Sequence, residues 1–281
     1  MSMQLRLVHR TGFTYADGVV ASYNEARMTP VTTPDQVVLH SRLEISPTPW
    51  VYEYRDYWGA QVTAFEVQDL HHDLTVTAIS TVDVARAAPE PALLGWDAIT
   101  ADDVQERYPE LLAVSDRTRP PEELRGLAAE LRASAAAPDE FARAVCDLVH
   151  REVRYVTGST EVHTLAADSW ANREGVCQDM AHLCLGVLRE AGVPARYVSG
   201  YLHPDPDPEV GVTAIGESHA WLEWWDGAWV GFDPTNDSVP DDRYVTVATG
   251  RDYADVAPLV GIFSGGHSST MFVELEVTRL R

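Results

Sequence analysis

The chain has 281 residues, 45% hydrophobic and 23% charged, enough to bury a core without disulfide or metal staples. Its formal net charge of −22 argues against a nucleic-acid backbone or an anionic membrane surface as partner, because both select clustered cations. The three cysteines, Cys146, Cys177 and Cys184, are too few and odd in number for a disulfide framework. With no leader pattern and no apolar run near ~18 residues, the expected location is the cytoplasm.

The first 85 residues read as sheet. QLRLVHRTGFTYA, ASYNEARMTP, VVLHSRLEISP, VTAFEVQ and LTVTAISTVDV are short, alternating or β-branched, and bounded by Pro, Asp or Gly. In the last of these, Leu74, Val76 and Ala78 alternate with Thr75, Thr77 and Ile79, which suits a strand with one wet face. The Pro- and Ala-rich RAAPEPALLG then predicts a linker near residues 86–95.

Helical signals follow. ITADDVQERYPELL carries acidic residues in its first turn. EFARAVCDLVHREV places Phe141, Val145, Leu148 and Val149 on one face, with Cys146 as a small core residue. From Val176 to Ala191 the pattern is clearest. Met180, Leu183, Cys184, Val187, Leu188 and Ala191 recur at helical spacing, and Gly192 and Pro194 stop the run.

The period then returns to strand in ARYVSGYL, HAWLEWW, AWVGF, YVTVAT and MFVELEVTRL, with HPDPDPEVGVTAIGE between as a surface loop. Segregated strands and helices predict an α+β fold. The expected organisation is an N-terminal antiparallel β region, residues 1–88, and a catalytic core, residues 89–281. The last strand, residues 270–280, is expected to return to the N-terminal sheet, since so apolar a terminal strand needs an edge to join.

Gly175-Val176-Cys177-Gln178-Asp179 precedes the strongest helix, so Cys177 falls in its first turn. Unpaired N–H groups there favour a thiolate and could stabilise the oxyanion formed when a carbonyl is attacked. A nucleophilic thiol needs a base, and the base needs an orienting partner. His219 opens HAWLEWW and Asp233 closes AWVGFD, and a hairpin around Asp226-Gly227 would bring them together. A three-residue loop, Trp225-Asp226-Gly227, would set Trp224 opposite Ala228 and His219 directly opposite Asp233.

The alternatives read as structure. Cys184 sits in the apolar stripe and is assigned to the core. Zinc held by Cys177, His182 and Cys184 fails because 182 lies round the helix from the other two. His71, His72, His150, His163, His203 and His267 read as surface or structural residues. Trp221, Trp224, Trp225 and Trp229 read as core and cleft-wall packing.

The Cys177 motif, His219-Ala220-Trp221 and Gly231-Phe232-Asp233-Pro234-Thr235-Asn236 together resemble the three motifs of the transglutaminase-like superfamily. SYNEARMTP, DYWGAQVTAFEV and GRDYADVAPLVGIFSGG are similar to its bacterial members, so the resemblance spans nearly the whole chain. Trp58-Gly59-Ala60 departs from an expected aromatic-Gly-Asn turn, away from the catalytic motifs. The resemblance implies a papain-like α+β core and a Cys-His-Asp triad of Cys177, His219 and Asp233. It implies acyl transfer at an amide bond through a thioester, by hydrolysis or transamidation, on a protein or peptide substrate. No cofactor or metal is expected, and the oligomeric state is left open. A binding module that has kept the fold and lost the chemistry is the alternative class.

Overall fold

The computed structural model describes residues 2–87, 94–160, 162–216, 218–265 and 268–281. Most of the expected linker, residues 88–93, and His267 lie outside them. The N-terminal part forms β1 (Met3–Val19), β2 (Ala21–Ala26), β3 (Gln36–Ser46), β4 (Trp50–Arg55), β5 (Gln61–Val67) and β6 (His71–Val84). In β6, Leu74, Val76, Ala78, Ser80, Val82 and Val84 are buried while the residues between them are half-covered, the alternation of a strand with one face on a core.

Three short helices follow, α1 (Trp96–Ile99), α2 (Asp102–Arg107) and α3 (Pro109–Leu112), where the sequence suggested one. Pro109 cannot donate a helical N–H and forces Tyr108 out of the helical region, to φ −127° and ψ 42°. α4 (Glu122–Ser134), which the sequence reading passed over, buries Leu124 and Ala128. α5 (Pro138–Glu152), β7 (Arg154–Tyr155), α6 (Ala166–Asn172) and β8 (Glu174–Gly175) lead to α7 (Cys177–Glu190).

The chain finishes with β9 (Ala195–Leu202), β10 (Thr213–Gly216), β11 (Ser218–Trp225), β12 (Trp229–Phe232), β13 (Tyr244–Gly250), α8 (Tyr253–Val256), β14 (Leu259–Ser264) and β15 (Ser269–Arg279). β10 lies inside the stretch read as a loop. It adds an edge strand with Ile215 77% exposed, so no buried face marked it in the sequence.

Three antiparallel sheets result, ordered β10-β15-β1-β6-β3, β14-β2-β5-β4 and β12-β11-β9-β13, with a two-residue parallel pair β7-β8. β15 runs beside β1 from Leu5↔Arg279 to Tyr15↔Ser269. The first two sheets pack around Tyr15, Val19, Met28, Phe65, Leu74 and Val76. The main core lies between α7, α5 and the inner face of the third sheet, and Leu5, Leu7, Val82 and Val84 of the first sheet reach into it. The N-terminal strands thus share a core with the helices. Among the described residues no helix is long and apolar enough to cross a membrane.

Candidate active site

Cys177 is the first residue of α7. Val176 before it is extended, with φ −113° and ψ −177°. The start of the helix is fixed from within, because the Asp179 carboxylate reaches back to accept the Val176 N–H at 2.8 Å. Thr160 Oγ donates to the same oxygen at 2.6 Å. Burial pushes the Asp179 carboxyl up against these hydrogen bonds. Behind this cap α7 is buried almost throughout, from Met180 through Leu188. At ~1.5–3 kcal/mol for each large apolar side chain removed from water, this burial fixes the helix axis. Its other end closes with Val193 N–H on Leu188 C=O at 2.9 Å and Gly192 N–H on Arg189 C=O at 3.0 Å, Gly192 taking φ +80°. A helix held at both ends delivers Cys177 to a fixed place.

His219 is the second residue of β11, paired with Gly200 of β9. A Cβ at Gly200 would lie 2.1 Å from Val245 O and 2.6 Å from the Trp221 ring, so glycine leaves room for the indole. Trp221 in turn stacks against the His219 ring at 27° and 6.3 Å between centroids. Tyr244 closes on His219 from a third direction.

The hairpin differs in register from the expected one. Trp225 pairs with Trp229 and Trp224 with Val230, so the loop is Asp226-Gly227-Ala228, with Gly227 central at φ +85°. The Asp226 N–H bonds the Ala228 carbonyl at 2.8 Å. Trp225 and Trp229 meet edge to face, and Arg196 lies 4.2 Å over the Trp229 ring, which holds this pairing. His219 is therefore not directly opposite Asp233. β12 ends at Phe232, and Asp233 leaves the ladder to pair with Ser238. It keeps the parity of His219 and approaches it from a diagonal position.

The two side chains meet there. His219 Nε2 lies 2.7 Å from Asp233 Oδ2, and Asp233 is fully buried. The Phe-Asp-Pro-Thr-Asn sequence explains how a buried carboxylate is tolerated. Oδ1 accepts the Thr235 N–H at 2.8 Å and the Asn236 N–H at 3.3 Å. Oδ2 accepts Asn236 Nδ2 at 2.7 Å and Tyr244 Oη at 2.8 Å, besides the imidazole. The Pro234 carbonyl accepts from His150 Nδ1 at 2.9 Å, tying the loop to the end of α5.

Burial favours the neutral forms of both partners, but their mutual hydrogen bond wins. Asp233 is held below the usual carboxylate range by His219, Asn236 and Tyr244 despite desolvation. His219 is pushed up to about 10: burial opposes protonation, and the interactions with the Asp233 and Cys177 side chains outweigh burial. With Nε2 committed to Asp233, Nδ1 is the nitrogen left for the thiol.

Cys177 is the half-buried cysteine, while Cys146 and Cys184 are wholly enclosed. Burial, then the neighbouring Cys184, push the Cys146 thiol well above its usual value, which suits inert core packing. His182 is enclosed too, its Nε2 accepting the Tyr253 N–H at 3.1 Å, and burial pushes it down to about 3. Among the described residues no group of three or more His, Cys, Asp and Glu is placed to hold a metal. His71 hydrogen-bonds the Asp69 carbonyl, His163 contacts Arg117, and His203 accepts the Asp205 N–H. The sequence reading missed Tyr244, Asn236, Asp179 and Gly200. Gly200 left a signal as a glycine inside a strand pattern, and Asp179 and Asn236 stood in the motifs without an assigned role.

Sequence comparison matches residues 5–83 to the bacterial transglutaminase-like N-terminal region and residues 125–234 to the transglutaminase-like superfamily. The chain is 42% identical over 278 residues to the uncharacterised protein ML0607 of Mycobacterium leprae, covering 99% of each. It is 32% identical over 127 residues to a protein-glutamine gamma-glutamyltransferase of Pseudomonas aeruginosa, covering 42% of this chain and 19% of that one. Among solved structures, a candidate cysteine protease from Cytophaga hutchinsonii superposes with a TM-score of 0.80 at 24% identity, covering 100% of this chain and 92% of that one.

Proposed function

The chain belongs to the transglutaminase-like superfamily, and from that premise we propose that it is a cysteine-dependent enzyme of acyl transfer at amide bonds, built on a papain-like core. Cys177 is the nucleophile, His219 its base and Asp233 the group that orients the base. One observation carries the reading: a wholly buried carboxylate, met by five hydrogen bonds, grips one nitrogen of an imidazole whose protonated form is favoured beside Cys177.

The Cys177 proton passes to His219 Nδ1 before attack, consistent with the favoured imidazolium, and the sulfur then bonds the amide carbon as a thiolate. The oxyanion forms near the α7 N-terminus, where backbone N–H groups and the helix dipole stabilise it. When the C–N bond breaks, the imidazolium returns the proton to the leaving amine, and a thioester on Cys177 remains. Water or a second amine then loses a proton to His219 and attacks the thioester, the C–S bond breaks, and the thiol is restored. Asp233 keeps its charge throughout and holds Nε2–H, so that Nδ1 faces the sulfur. Hydrolysis and transamidation share the first half. The Pseudomonas relative, by its name, supports a glutamine carboxamide as acyl donor.

The N-terminal β region, residues 1–88, serves as a buttress for a core of residues 89–281. An odd cysteine set with one member in the site suits a reducing compartment, so the cytoplasm is the proposed location. The test is iodoacetamide alkylation near neutral pH, mapped by mass spectrometry. Preferential modification of Cys177 over Cys146 and Cys184 supports the reading. A Cys177 no faster than free cysteine, with no loss when His219 is replaced, would leave a silent binding module instead.

A further inference from the structure

We propose that the outer face of the sheet β14-β2-β5-β4 is a docking site for a lysine side chain of a partner polypeptide. The face shares no lining residue with the triad and does not rest on the acyl-transfer reading.

Directly opposed residues point to one side of a sheet. Ile262, Tyr23, Glu66 and Trp50 are opposed in one row across all four strands. Val260, Glu25, Ala64 and Tyr52 form the next. A solvent-facing sheet side is ordinarily polar. Here Ile262 is 73% exposed, Trp50 66%, Tyr52 57% and Tyr23 50%. The face carries an open cavity of about 490 Å³. An adjoining hollow of about 320 Å³ shares Trp50 and Glu66 and adds Asp69. Neither lining contains a basic residue. Exposed aromatic rings flanking a carboxylate, with no cation opposite, select a cation.

The hydrogen bonds narrow the choice. Both Glu25 oxygens are engaged, one by Tyr54 Oη at 2.7 Å and one by Arg27 Nη2 at 3.0 Å. Glu66 Oε1 accepts Gln68 Nε2 at 3.0 Å, and Oε2 has no hydrogen bond among the described residues. Oε2 is thus open to an ammonium, a compact point charge that needs one acceptor. Neighbouring strands are ~4.8 Å apart, so a cation over Glu66 lies within reach of rings on both sides, Tyr23 on β2 and Trp50 on β4. The lysine must come from another protein. All 21 basic residues of this chain are arginine, so a second copy offers none.

Calorimetric titration with acetyl-Gly-Lys-Gly-amide and its norleucine and arginine counterparts tests this. The lysine peptide should bind best and weaken with salt. Trp50→Ala and Glu66→Gln should each lower its affinity about five- to tenfold with an unchanged circular dichroism spectrum. Cys177→Ala should bind as wild type does, so a failure of the catalytic reading leaves this result untouched. Equal binding of the norleucine peptide, tighter binding of the arginine peptide, or indifference to Trp50→Ala would overturn the proposal. So would light scattering that shows a dimer which Trp50→Ala dissolves.

Discussion

Replacing Asp233 with asparagine separates the orienting role of this residue from its structural one. The carboxylate receives donors at both oxygens, so an amide must turn its NH2 toward one set. Facing Thr235 and Asn236, the NH2 would meet two backbone N–H groups that cannot turn away. On the Oδ2 side every partner can adapt. Tyr244 Oη rotates to accept, the Asn236 amide flips, and His219 presents the Nε2 lone pair. That arrangement preserves the fold but moves the ring proton to Nδ1, facing the sulfur, where the base must be empty. Exchange of a charge-assisted network for neutral hydrogen bonds should cost about 1–3 kcal/mol of stability. The wrong tautomer should cost about 10⁴ in turnover, or about 5.5 kcal/mol of barrier. Urea unfolding of wild type and Asp233→Asn gives the first figure, and single-turnover thiol acylation by an activated ester gives the second. A variant that unfolds at the same urea concentration and keeps turnover within tenfold of wild type would refute the tautomer argument.

The protonation of His219 carries a pH signature. Its folded pKa of about 10 stands above the ordinary 6.5, so its stabilising contribution is full below about pH 6.5 and disappears as pH rises through about 10. The melting-temperature gap between wild type and His219→Gln should therefore be widest at neutral or lower pH and close above 10, as calorimetry would show. In Gly200→Ala the new Cβ presses on the Val245 carbonyl and the Trp221 ring, which should destabilise the protein by about 1–3 kcal/mol and lower turnover by displacing the His219 support. Thermal melts together with kinetics check both effects. Tyr244→Phe removes one donor from a buried carboxylate and should cost about 1–3 kcal/mol, measurable by urea unfolding, with a far smaller kinetic loss than Asp233→Asn.

The legible parts of the molecule were those written as periodic patterns. The apolar stripe from Met180 to Leu188 fixed both the helix and the place of Cys177 in its first turn. Alternation in LTVTAISTVDV and MFVELEVTRL marked two strands. Register was harder. An even offset between β11 and β12 is needed to put His219 and Asp233 on one side, and the two-residue difference from the expected pairing keeps that parity. What decided between the two even registers was the meeting of Trp225 with Trp229, a cross-strand contact that spacing does not encode. Tyr244 left no trace, and Asn236 stood in its motif without a role, because their work is a hydrogen bond to Asp233 closed only when the loop folds back. β10 was invisible for the opposite reason, an edge strand with almost nothing buried to leave a pattern.

The most direct test of the catalytic account is to capture the acyl-enzyme. Wild type and Cys177→Ala would be exposed to a glutamine-containing peptide, quenched in acid and digested for mass spectrometry. A thioester adduct should be confined to the peptide that carries Cys177, absent from Cys177→Ala and released by added amine or by water. Turnover in the Cys177→Ala protein, or an adduct on Cys146 or Cys184 in its place, would contradict it.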